Sequence, residues 1–222
     1  MTELDTLSKA SPLLIEQFEL GPMANYIYFI GDKETKEIVV VDPAWDVNFI
    51  RNKAKEAGFN IKGALITHGH PDHTNGINKL LETHDIPVYV SKEEASFYKP
   101  IGENIVEVDA TFNLDIGNIH IDFLHTPGHT PGSQCFLVQG NLVAGDTLFL
   151  DGCGRCDLPG GDVETMFDTI HHKLMKLPDH TMIFPGHNYH HLHCDELCNQ
   201  KKTNPYMQMD NLHAFINRRL PR

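Results

Sequence analysis

The sequence predicts a chain of the α/β (α+β) class, because short strands and amphipathic helices are both indicated within its 222 residues. Short apolar runs rich in β-branched residues, such as EIVVV at residues 37–41, predict buried strands. Apolar residues on one face of residues 163–177 predict an amphipathic helix. The length suits one large domain with a full core. We therefore expect a single domain over residues 1–222, with a short helical C-terminal extension over residues 190–222.

The first half of the chain is predicted to alternate strands with helices. Gly21-Pro22 separates the first two apolar runs, and Gly58 ends the first predicted helix. Asn75 or Thr74 is expected to cap the predicted helix over residues 75–82, which leaves a polar loop. The predicted strands are residues 14–20, 25–30, 37–41, 64–66 and 88–90, and the predicted helices are residues 47–57, 92–98 and 75–82.

The second half is predicted to contain further strands and to end in helices. Asp162 is expected to cap the helix that follows it, with His171 and His172 in solvent. The tail from residue 195 is expected to form one or two helices, broken at Asn204-Pro205. The predicted strands of this half are residues 110–116, 119–124, 142–144 and 182–184, and its main predicted helix is residues 163–177.

One short loop is rich in residue types that bind metals. Residues 67–76 read THGHPDHTNG and include His68, His70, Asp72 and His73. Neutral imidazole and carboxylate suit Zn²⁺ or non-haem iron, and the absence of thiolate argues against a closed structural zinc site. The alternative is a polar surface loop that is merely rich in histidine. Further metal-competent residues along the chain favour the metal site.

Three further motifs each follow a predicted strand. They contain His129 in TPGHTPGS, Asp146 in GDTLF and His187 in PGHNY. Ligands would therefore lie on loops at strand ends, which is a usual place to hold reactive groups on a rigid scaffold. Each motif alone is more typical of a turn, but the repetition of one pattern predicts a shared site.

Together these motifs resemble the metallo-β-lactamase superfamily over residues 12–206. The resemblance implies a four-layer αββα sandwich with a two-metal site along one edge. His70 stands where the flavodiiron branch has glutamate, and Asp146 in place of Cys or Ser resembles the glyoxalase II-like group. The resemblance assigns His68, His70 and His129 to the first metal, Asp72, His73 and His187 to the second metal, and Asp146 to the bridging position.

The cofactors that this resemblance implies are two Zn²⁺ ions, with iron as the alternative. Two adjacent divalent ions lower the pKa of a shared water from about 16 toward ~7. Asp72 is expected to act in catalysis as well as in metal binding, by accepting a hydrogen bond from the attacking hydroxide. Asp42, which ends a predicted strand, is either a simple turn carboxylate or a group that orients a ligand histidine.

A glycine-rich stretch, DGCGRCDLPGGD at residues 151–162, is expected to lie beside the substrate, because glycines let the backbone approach a ligand closely. GCGR resembles the same loop in glyoxalase II and in persulfide dioxygenases, and CDLPGGD resembles small hydrolases encoded with polyketide synthases. Cys153, Gly154 and Arg155 are the predicted substrate-binding residues. Arg155 is expected to hold an anionic or carbonyl group, with a surface arginine as the alternative. Cys153 and Cys156 have redox spacing, but inert thiols are the favoured interpretation.

Composition argues against several classes of function. The formal net charge of −12 disfavours a nucleic-acid partner, because phosphate binding needs a basic face. No apolar run approaches the ~20 residues of a membrane helix, and residues 1–5 do not resemble a secretion signal. The five cysteines are expected to be reduced thiols in a cytoplasmic protein. The run from His190 to Cys198 is expected to be a surface segment with helical spacing rather than a metal site.

These features favour a hydrolase of the glyoxalase II-like type that acts on a small-molecule thioester, with the acyl chain on a phosphopantetheine arm. An acyl carrier protein is the expected partner, because the tail is too short for the helical domain with which glyoxalase II holds glutathione. The alternatives are hydrolysis of glutathione thioesters, persulfide dioxygenation with one iron held by His68, His129 and Asp146, and a metal-binding protein without activity. Lys201, Lys202, Arg218, Arg219 and Arg222 make the tail locally basic, and the expected docking patch for the carrier consists of Lys201, Lys202, Arg218 and Arg219.

Overall fold

Two six-stranded sheets that pack face to face form the framework of the protein. The computed structural model describes residues 11–98 and 103–220. The N-terminal segment in which no secretion signal is expected, and Arg222 of the basic tail, therefore lie outside the described residues.

In the first sheet, the spatial order of the strands follows the chain order. The second strand is antiparallel to both the first and the third, and the third to the sixth strands are parallel to one another. The strands are β1 Leu13–Leu20, β2 Asn25–Asp32, β3 Glu37–Val41, β4 Asn60–Leu65, β5 Val88–Ser91 and β6 Ile105–Val108. Because β3 and β4 are parallel, the loops that follow them lie at the same edge of the sheet.

The strands of the second sheet and of a small hairpin are, in chain order, β7 Asn113–Ile116, β8 Ile119–His125, β9 Gln134–Val138, β10 Asn141–Gly145, β11 Leu148–Phe149, β12 Gly152–Cys153, β13 Met182–Pro185 and β14 Asp195–Glu196. Strands β11 and β12 pair only with each other, and the other six form the second sheet in the order β14-β13-β10-β9-β8-β7. Strands β8, β10 and β13 run in the same direction. Their carboxyl ends therefore meet at one edge, and the loops that leave them carry three of the predicted ligands.

Helices cover the outer face of each sheet, and one short helix, Pro71–Thr74, lies within the histidine-rich loop. They are α1 Val47–Glu56, α2 Pro71–Thr74, α3 Ile77–Leu81, α4 Lys92–Phe97, α5 Val163–Asp168, α6 Leu197–Thr203, α7 Pro205–Gln208 and α8 Leu212–Arg219. A π-helical turn at Thr169–Lys173 and a 3-10 turn at Leu174–Lys176 extend α5.

Three hydrophobic clusters define the layers. One joins the outer face of the first sheet to α1 and α3, and another joins the second sheet to α5 and α8. The third lies between the sheets. Alternation along β3 shows the division, because Ile38 and Val40 face the helices while Val39 and Val41 face the other sheet. This arrangement confirms the predicted α/β (α+β) class and the four-layer αββα sandwich.

Several predicted elements differ from the structure. Strands β6 and β9 were not predicted, and the strand predicted at residues 110–116 is the shorter β7. Asn75 and Thr74 do not cap α3. That helix begins after Gly76, while the Asn75 side chain accepts a hydrogen bond from the Trp45 N–H at 2.7 Å. The prediction of the cap was wrong because Pro71 already starts α2 inside the loop.

The predicted helix over residues 163–177 is only partly α-helical. Asp162 caps it as expected, by accepting hydrogen bonds from the N–H groups of the first turn. His172 is exposed, but His171 is half-buried and stacks on Phe167 at 4.3 Å between ring centroids, so its prediction in solvent was wrong. The π-helical turn shifts the helical register at this point, and the His171 ring meets the tail, where its Nε2 lies 3.0 Å from the Tyr206 carbonyl.

The tail forms three helices, one more than the upper expectation, and the predicted break occurs where Asn204 caps α7. Residues 190–194 form turns rather than a helix, although His191 and His193 are exposed as expected. Within residues 11–98 and 103–220, no helix has both the length and the apolar character needed to cross a membrane.

Candidate metal centre

Asp42 organises the start of the histidine-rich loop. It follows β3 in the left-handed conformation, with φ of 50°, at the edge where β4 also ends. Its carboxylate accepts hydrogen bonds from the N–H and the hydroxyl of Thr67, at 2.7 Å and 2.6 Å. Its Oδ2 also lies 2.9 Å from Nδ1 of His73. Of the two hypotheses for Asp42, this geometry favours the one in which the carboxylate orients a histidine.

Three histidines turn ring nitrogens toward one point. Nδ1 of His70 lies 2.9 Å from Nε2 of His68 and 3.0 Å from Nε2 of His129. His68 and His129 are buried, and His70 is half-buried. The structure thus brings together the three residues assigned to the first metal, which we call the first cluster. Three imidazole nitrogens at this spacing are suitable donors for one metal ion.

A second cluster contains Asp72, His73 and His187. The Nε2 atoms of the two histidines lie 3.2 Å apart. Asp72 Oδ2 lies 3.4 Å from Nε2 of His73 and 3.5 Å from Nε2 of His187. Pro71 begins α2 and so places Asp72 in the first helical turn. The structure therefore also brings together the three residues assigned to the second metal.

Asp146 lies between the two clusters. Its Oδ1 faces the second cluster, at 3.4 Å from His73 Nε2 and 3.3 Å from His187 Nε2. Its Oδ2 is 3.7 Å from His129 Nε2 in the first cluster. Gly186 leaves the space for this carboxylate, because a Cβ at that position would overlap Asp146 Oδ1. The position between the clusters is the one expected for a bridging ligand.

Four of the five imidazoles present Nε2 to the centre and use Nδ1 for a fixed partner. These partners are the Thr67 hydroxyl for His68 (3.0 Å), the Asp42 carboxylate for His73 (2.9 Å), the Arg155 carbonyl for His129 (2.6 Å) and the Met23 carbonyl for His187 (2.9 Å). A carbonyl only accepts, so His129 and His187 carry the proton on Nδ1 and direct the lone pair of Nε2 inward. The backbone thereby sets the tautomer that metal binding requires.

The electrostatics of the two clusters differ. Burial lowers the pKa of His68 well below its usual value and that of His70 to about 4, so both rings are neutral at pH 7. Burial also acts to lower the pKa of His73, but the carboxylates around it, above all Asp146, outweigh burial and raise the value to about 9. In the same way, burial would raise the pKa of Asp146, but the nearby histidines, above all His73, hold it well below its usual value. The second cluster therefore attracts positive charge.

The residues of both clusters fit bound metal. Asp146 Oδ1 is buried and has no hydrogen-bond partner in the described part of the chain, although two ring nitrogens lie close to it. A buried carboxylate oxygen without a partner is costly, and a cation between it and those nitrogens would remove the cost. Imidazole and carboxylate donors without thiolate suit Zn²⁺ or iron.

Glu94 is a functional residue that the sequence reasoning missed. It is buried in α4, and its carboxylate accepts hydrogen bonds from the Gly69 N–H (2.5 Å), the Thr130 hydroxyl (2.8 Å) and the Gly132 N–H (2.9 Å). These donors belong to the two loops that carry the first cluster. The pattern Ser91-x-x-Glu94 is a capping-box signature, but here only Ser91 caps the helix, and the glutamate joins the loops.

Asn25 and Trp45 were also missed. The Asn25 amide donates a hydrogen bond to Asp72 Oδ2 at 2.9 Å, and its carbonyl oxygen accepts one from Trp45 Nε1 at 2.8 Å. Asn25 lies in β2 and Trp45 lies in the loop that follows β3, so both are distant in sequence from Asp72, the candidate ligand that they support. No local pattern marks a side chain that acts at this distance, so only the fold could reveal it.

The glycine-rich stretch contacts the centre through its backbone. A Cβ on Gly154 would overlap the Asp146 carbonyl and would lie 2.9 Å from the His129 ring, so glycine is needed at this close approach. The Arg155 carbonyl holds His129, whereas its guanidinium is exposed and forms two hydrogen bonds with the Asp157 carboxylate, at 2.9 Å and 2.8 Å. Cys153 is buried beside them.

The two cysteines of this stretch are poor nucleophiles at neutral pH. Burial raises the pKa of Cys153 well above that of an ordinary thiol and raises the pKa of Cys156 to about 11. Both therefore remain protonated and weakly reactive, which agrees with the interpretation as inert thiols.

Aromatic side chains surround the mouth of the centre. The Tyr189 ring stacks on His187 at 4.7 Å between centroids and is 60% exposed, and Phe149 lies 5.5 Å from it. On the other side, Tyr98 lies 5.6 Å from the His70 ring. These rings place apolar surface beside the residues of both clusters.

Comparison with known proteins gives relatives of several kinds. The chain is 33% identical over 192 residues to the probable polyketide biosynthesis zinc-dependent hydrolase PksB of Bacillus subtilis, covering 86% of this chain and 85% of that protein. It is 36% identical over 171 residues to a hydroxyacylglutathione hydrolase of Shewanella halifaxensis, covering 74% of this chain and 62% of that protein. The crystal structure of ETHE1 from Myxococcus xanthus superposes with a TM-score of 0.83 at 28% identity, covering 94% of this chain and 92% of that one.

A protein-family profile also matches most of the chain. Residues 20–187 match the profile described as the metallo-beta-lactamase superfamily, and they include every residue of the two clusters together with Asp146. The match covers well over half of the chain and ends at the last ligand candidate, His187. The chain therefore belongs to the metallo-beta-lactamase superfamily.

Proposed function

We propose that this protein is a zinc-dependent hydrolase that uses a pair of Zn²⁺ ions to cleave thioesters. The observation that carries the proposal is the position of Asp146, whose two carboxylate oxygens face two separate clusters of nitrogen and oxygen donors. The residues that would hold the first ion are His68, His70 and His129; those for the second are Asp72, His73 and His187; and Asp146 would contact both.

The bound ions would supply an acidified water and a Lewis acid for the substrate carbonyl. The side chains of this protein would orient the reactants. Asp72, fixed by the Asn25 amide at 2.9 Å, has a second oxygen with which it can accept a hydrogen bond from the attacking water. A thiolate is a good leaving group, so a thioester needs no strong acid near the leaving sulfur.

A thioester on a phosphopantetheine arm is the substrate class we favour. The similarity to PksB, whose name places it in polyketide biosynthesis, covers most of both chains. The aromatic rim of Tyr98, Phe149 and Tyr189 offers apolar contacts to a slim arm or to an acyl chain. The exposed Arg155 guanidinium, which pairs with Asp157, would hold an anionic or carbonyl group of the substrate.

An acyl carrier protein is the partner we propose for this substrate. Of the expected docking residues, Lys202 and Arg218 are exposed. Lys201 pairs with Asp179 at 2.5 Å, and Arg219 donates a hydrogen bond to the Gly154 carbonyl at 2.8 Å. The docking patch would therefore rest on Lys202 and Arg218, and binding should be weak and salt-sensitive in a chain of net charge −12.

A substrate panel tests this proposal. Purified protein should contain close to two zinc ions per chain, and Asp146→Asn should weaken binding of both, because it removes the shared charge. Acyl-pantetheine or acyl-carrier thioesters should be hydrolysed with a higher kcat/KM than S-lactoylglutathione. Efficient turnover of S-lactoylglutathione without activity on pantetheine thioesters would instead identify a hydroxyacylglutathione hydrolase.

A second candidate function is persulfide dioxygenation with one iron ion. The 29% identity over 206 residues to the persulfide dioxygenase ETHE1 of Bos taurus favours it, and His68, His129 and Asp146 could supply two nitrogens and one carboxylate. The second cluster argues against it, because a single-iron site does not use those donors. One bound iron per chain, together with oxygen consumption in the presence of glutathione persulfide, would support this function over the hydrolase.

A further inference from the structure

The C-terminal helices hold the hairpin β11–β12, which lies against the metal centre. The Asn204 side chain is buried, and its amide donates hydrogen bonds to the Phe149 carbonyl at 3.2 Å and the Gly152 carbonyl at 3.0 Å. The turn of the hairpin is held as well, because the Asp151 N–H donates a hydrogen bond to the Gln200 side-chain oxygen at 2.7 Å. Both strands and the turn of the hairpin thus depend on α6 and α7.

Arg219, near the end of α8, makes the contact nearest to the centre. Its Nε donates a hydrogen bond to the Gly154 carbonyl at 2.8 Å, and its guanidinium lies 5.9 Å from the centroid of the Tyr206 ring. The side chain is half-buried. The next carbonyl along the chain, that of Arg155, accepts the hydrogen bond from His129 Nδ1 at 2.6 Å. Two consecutive carbonyls are therefore fixed, one by the tail and one by a candidate ligand.

This backbone segment needs external support. Gly154 has no side chain, so its peptide groups rotate more freely than those of other residues unless hydrogen bonds hold them. Little space separates this segment from the centre, because a Cβ on Gly154 would lie 2.9 Å from the His129 ring. A weakened Gly154 carbonyl contact would let the Arg155 carbonyl move away from His129, and that ring would lose the partner that sets its tautomer.

We propose that Arg219 is a positioning residue for His129, acting through the Gly154–Arg155 backbone. The proposal rests on the proposed function in one respect, since it takes His129 to be a metal ligand. It gives Arg219 a role that differs from docking. The adjacent Arg218 carries the same charge and lies near the same Tyr206 ring at 5.6 Å, but it is exposed. Arg218 therefore serves as a matched control.

The test compares Arg219→Gln, Arg219→Lys and Arg218→Gln in the full chain. The first readout is the imidazole Nδ1–H resonance of His129, observed by NMR in ¹⁵N-histidine-labelled protein and assigned by its loss in His129→Gln. Arg219→Gln should abolish the resonance or broaden it through faster exchange with water, because the Nδ1 proton loses its fixed acceptor. Arg219→Lys should have a smaller effect, because an ammonium group can still donate to the Gly154 carbonyl. Arg218→Gln should leave the resonance unchanged.

The second readout is metal affinity, measured by competition with a chelator and by the visible spectrum of the Co²⁺-loaded protein. Arg219→Gln should weaken metal binding by the first cluster, which contains His129, about tenfold and alter the spectrum, whereas Arg218→Gln should alter neither. Urea unfolding of all variants separates positioning from a general loss of stability, because the resonance should change even under conditions where the fold is fully populated.

Equal behaviour of Arg219→Gln and Arg218→Gln in both readouts would overturn the proposal. Its failure is distinguishable from failure of the proposed function. A wild-type protein that binds two metals but cleaves no thioester disproves the function and leaves the His129 resonance as an independent measure. A wild-type protein that cleaves thioesters, with no change of that resonance in Arg219→Gln, disproves the positioning role alone.

Discussion

The carboxylate of Glu94 should be a principal support of the metal centre. It is 1% exposed and joins two loops, one carrying His68 and His70 and the other carrying His129, through three hydrogen bonds. Glu94→Ala would leave the N–H groups of Gly69 and Gly132 without acceptors in the interior. It would also let the two loops move apart.

The size of the effect follows from the number of lost partners. Each buried donor left unsatisfied costs about 1–3 kcal/mol, so two donors cost about 2–6 kcal/mol. Part of this loss is offset, because burial raises the pKa of Glu94 and the ionised carboxylate is itself costly to bury. We therefore expect Glu94→Ala to lower the free energy of unfolding by about 3 kcal/mol. Glu94→Gln keeps the volume but offers one acceptor oxygen instead of two, so about 1 kcal/mol is expected.

Urea unfolding and metal competition provide the assay. The adjacent Glu93 is exposed on the same helix, so Glu93→Ala is the control for lost charge and helix propensity. Affinity for the metal held by the first cluster should fall about tenfold in Glu94→Ala, in the range found for supporting residues of metal ligands. Equal unfolding free energies and equal metal affinities in the Glu94→Ala and Glu93→Ala variants would refute the reasoning.

Three other substitutions test separate parts of the molecule. Asp42→Asn should weaken metal binding by the second cluster about 10- to 100-fold in a chelator competition, because an amide replaces the acceptor for His73 Nδ1; unchanged affinity would exclude the orienting role. Hydrogen bonds from Asn118 hold the pKa of Asp32 below its usual value, so Asp32 stabilises the fold above pH ~4 and loses this contribution as the pH falls through its lowered pKa. Asp32→Asn should accordingly reduce the urea midpoint at pH 7, with a difference from wild type that shrinks on acidification; a constant difference across this range would contradict the assignment. Cys156→Ser should leave hydrolysis nearly unchanged under reducing and mildly oxidising conditions, and a reversible loss of activity on oxidation would show a redox role.

Strands with strong patterns could be predicted from the sequence, and weak ones could not. Strand β3 is a run of β-branched residues ending at Asp42-Pro43, and its predicted and observed bounds agree. Strand β6 was missed because it has only four residues, of which Val106 and Glu107 are exposed and Val108 alone is buried. The course of α5 was also beyond prediction. Its apolar spacing fits a single helix, but packing of His171 and Phe167 against α8 accompanies a π-helical turn.

The candidate ligands could be predicted because they are local in sequence. A loop after β4 holds four of them, and each of the others follows a strand end. Their supporting partners are not local. Asn25 supports Asp72 across 47 positions, and Glu94 supports Thr130 across 36. The first pair depends on the order of the strands within one sheet and the second on the meeting of the two sheets, and no periodicity or motif in a single sequence encodes either.

This difference also explains why the metal site is easier to assign than the substrate. The candidate ligands come from loops that the fold brings together wherever the two sheets pack in this way. The surroundings of the centre come from Tyr98, from Tyr189 and from the hairpin β11–β12, which the C-terminal helices hold. A related chain can therefore keep the loops of the two clusters while its tail and its aromatic residues differ. Relatives of this chain named as a zinc-dependent hydrolase, as a hydroxyacylglutathione hydrolase and as ETHE1 fit that view. Arg219 and Asn204 bind the tail to the backbone beside the metal centre. A change in the tail that alters the substrate would therefore also act directly on the geometry of the centre.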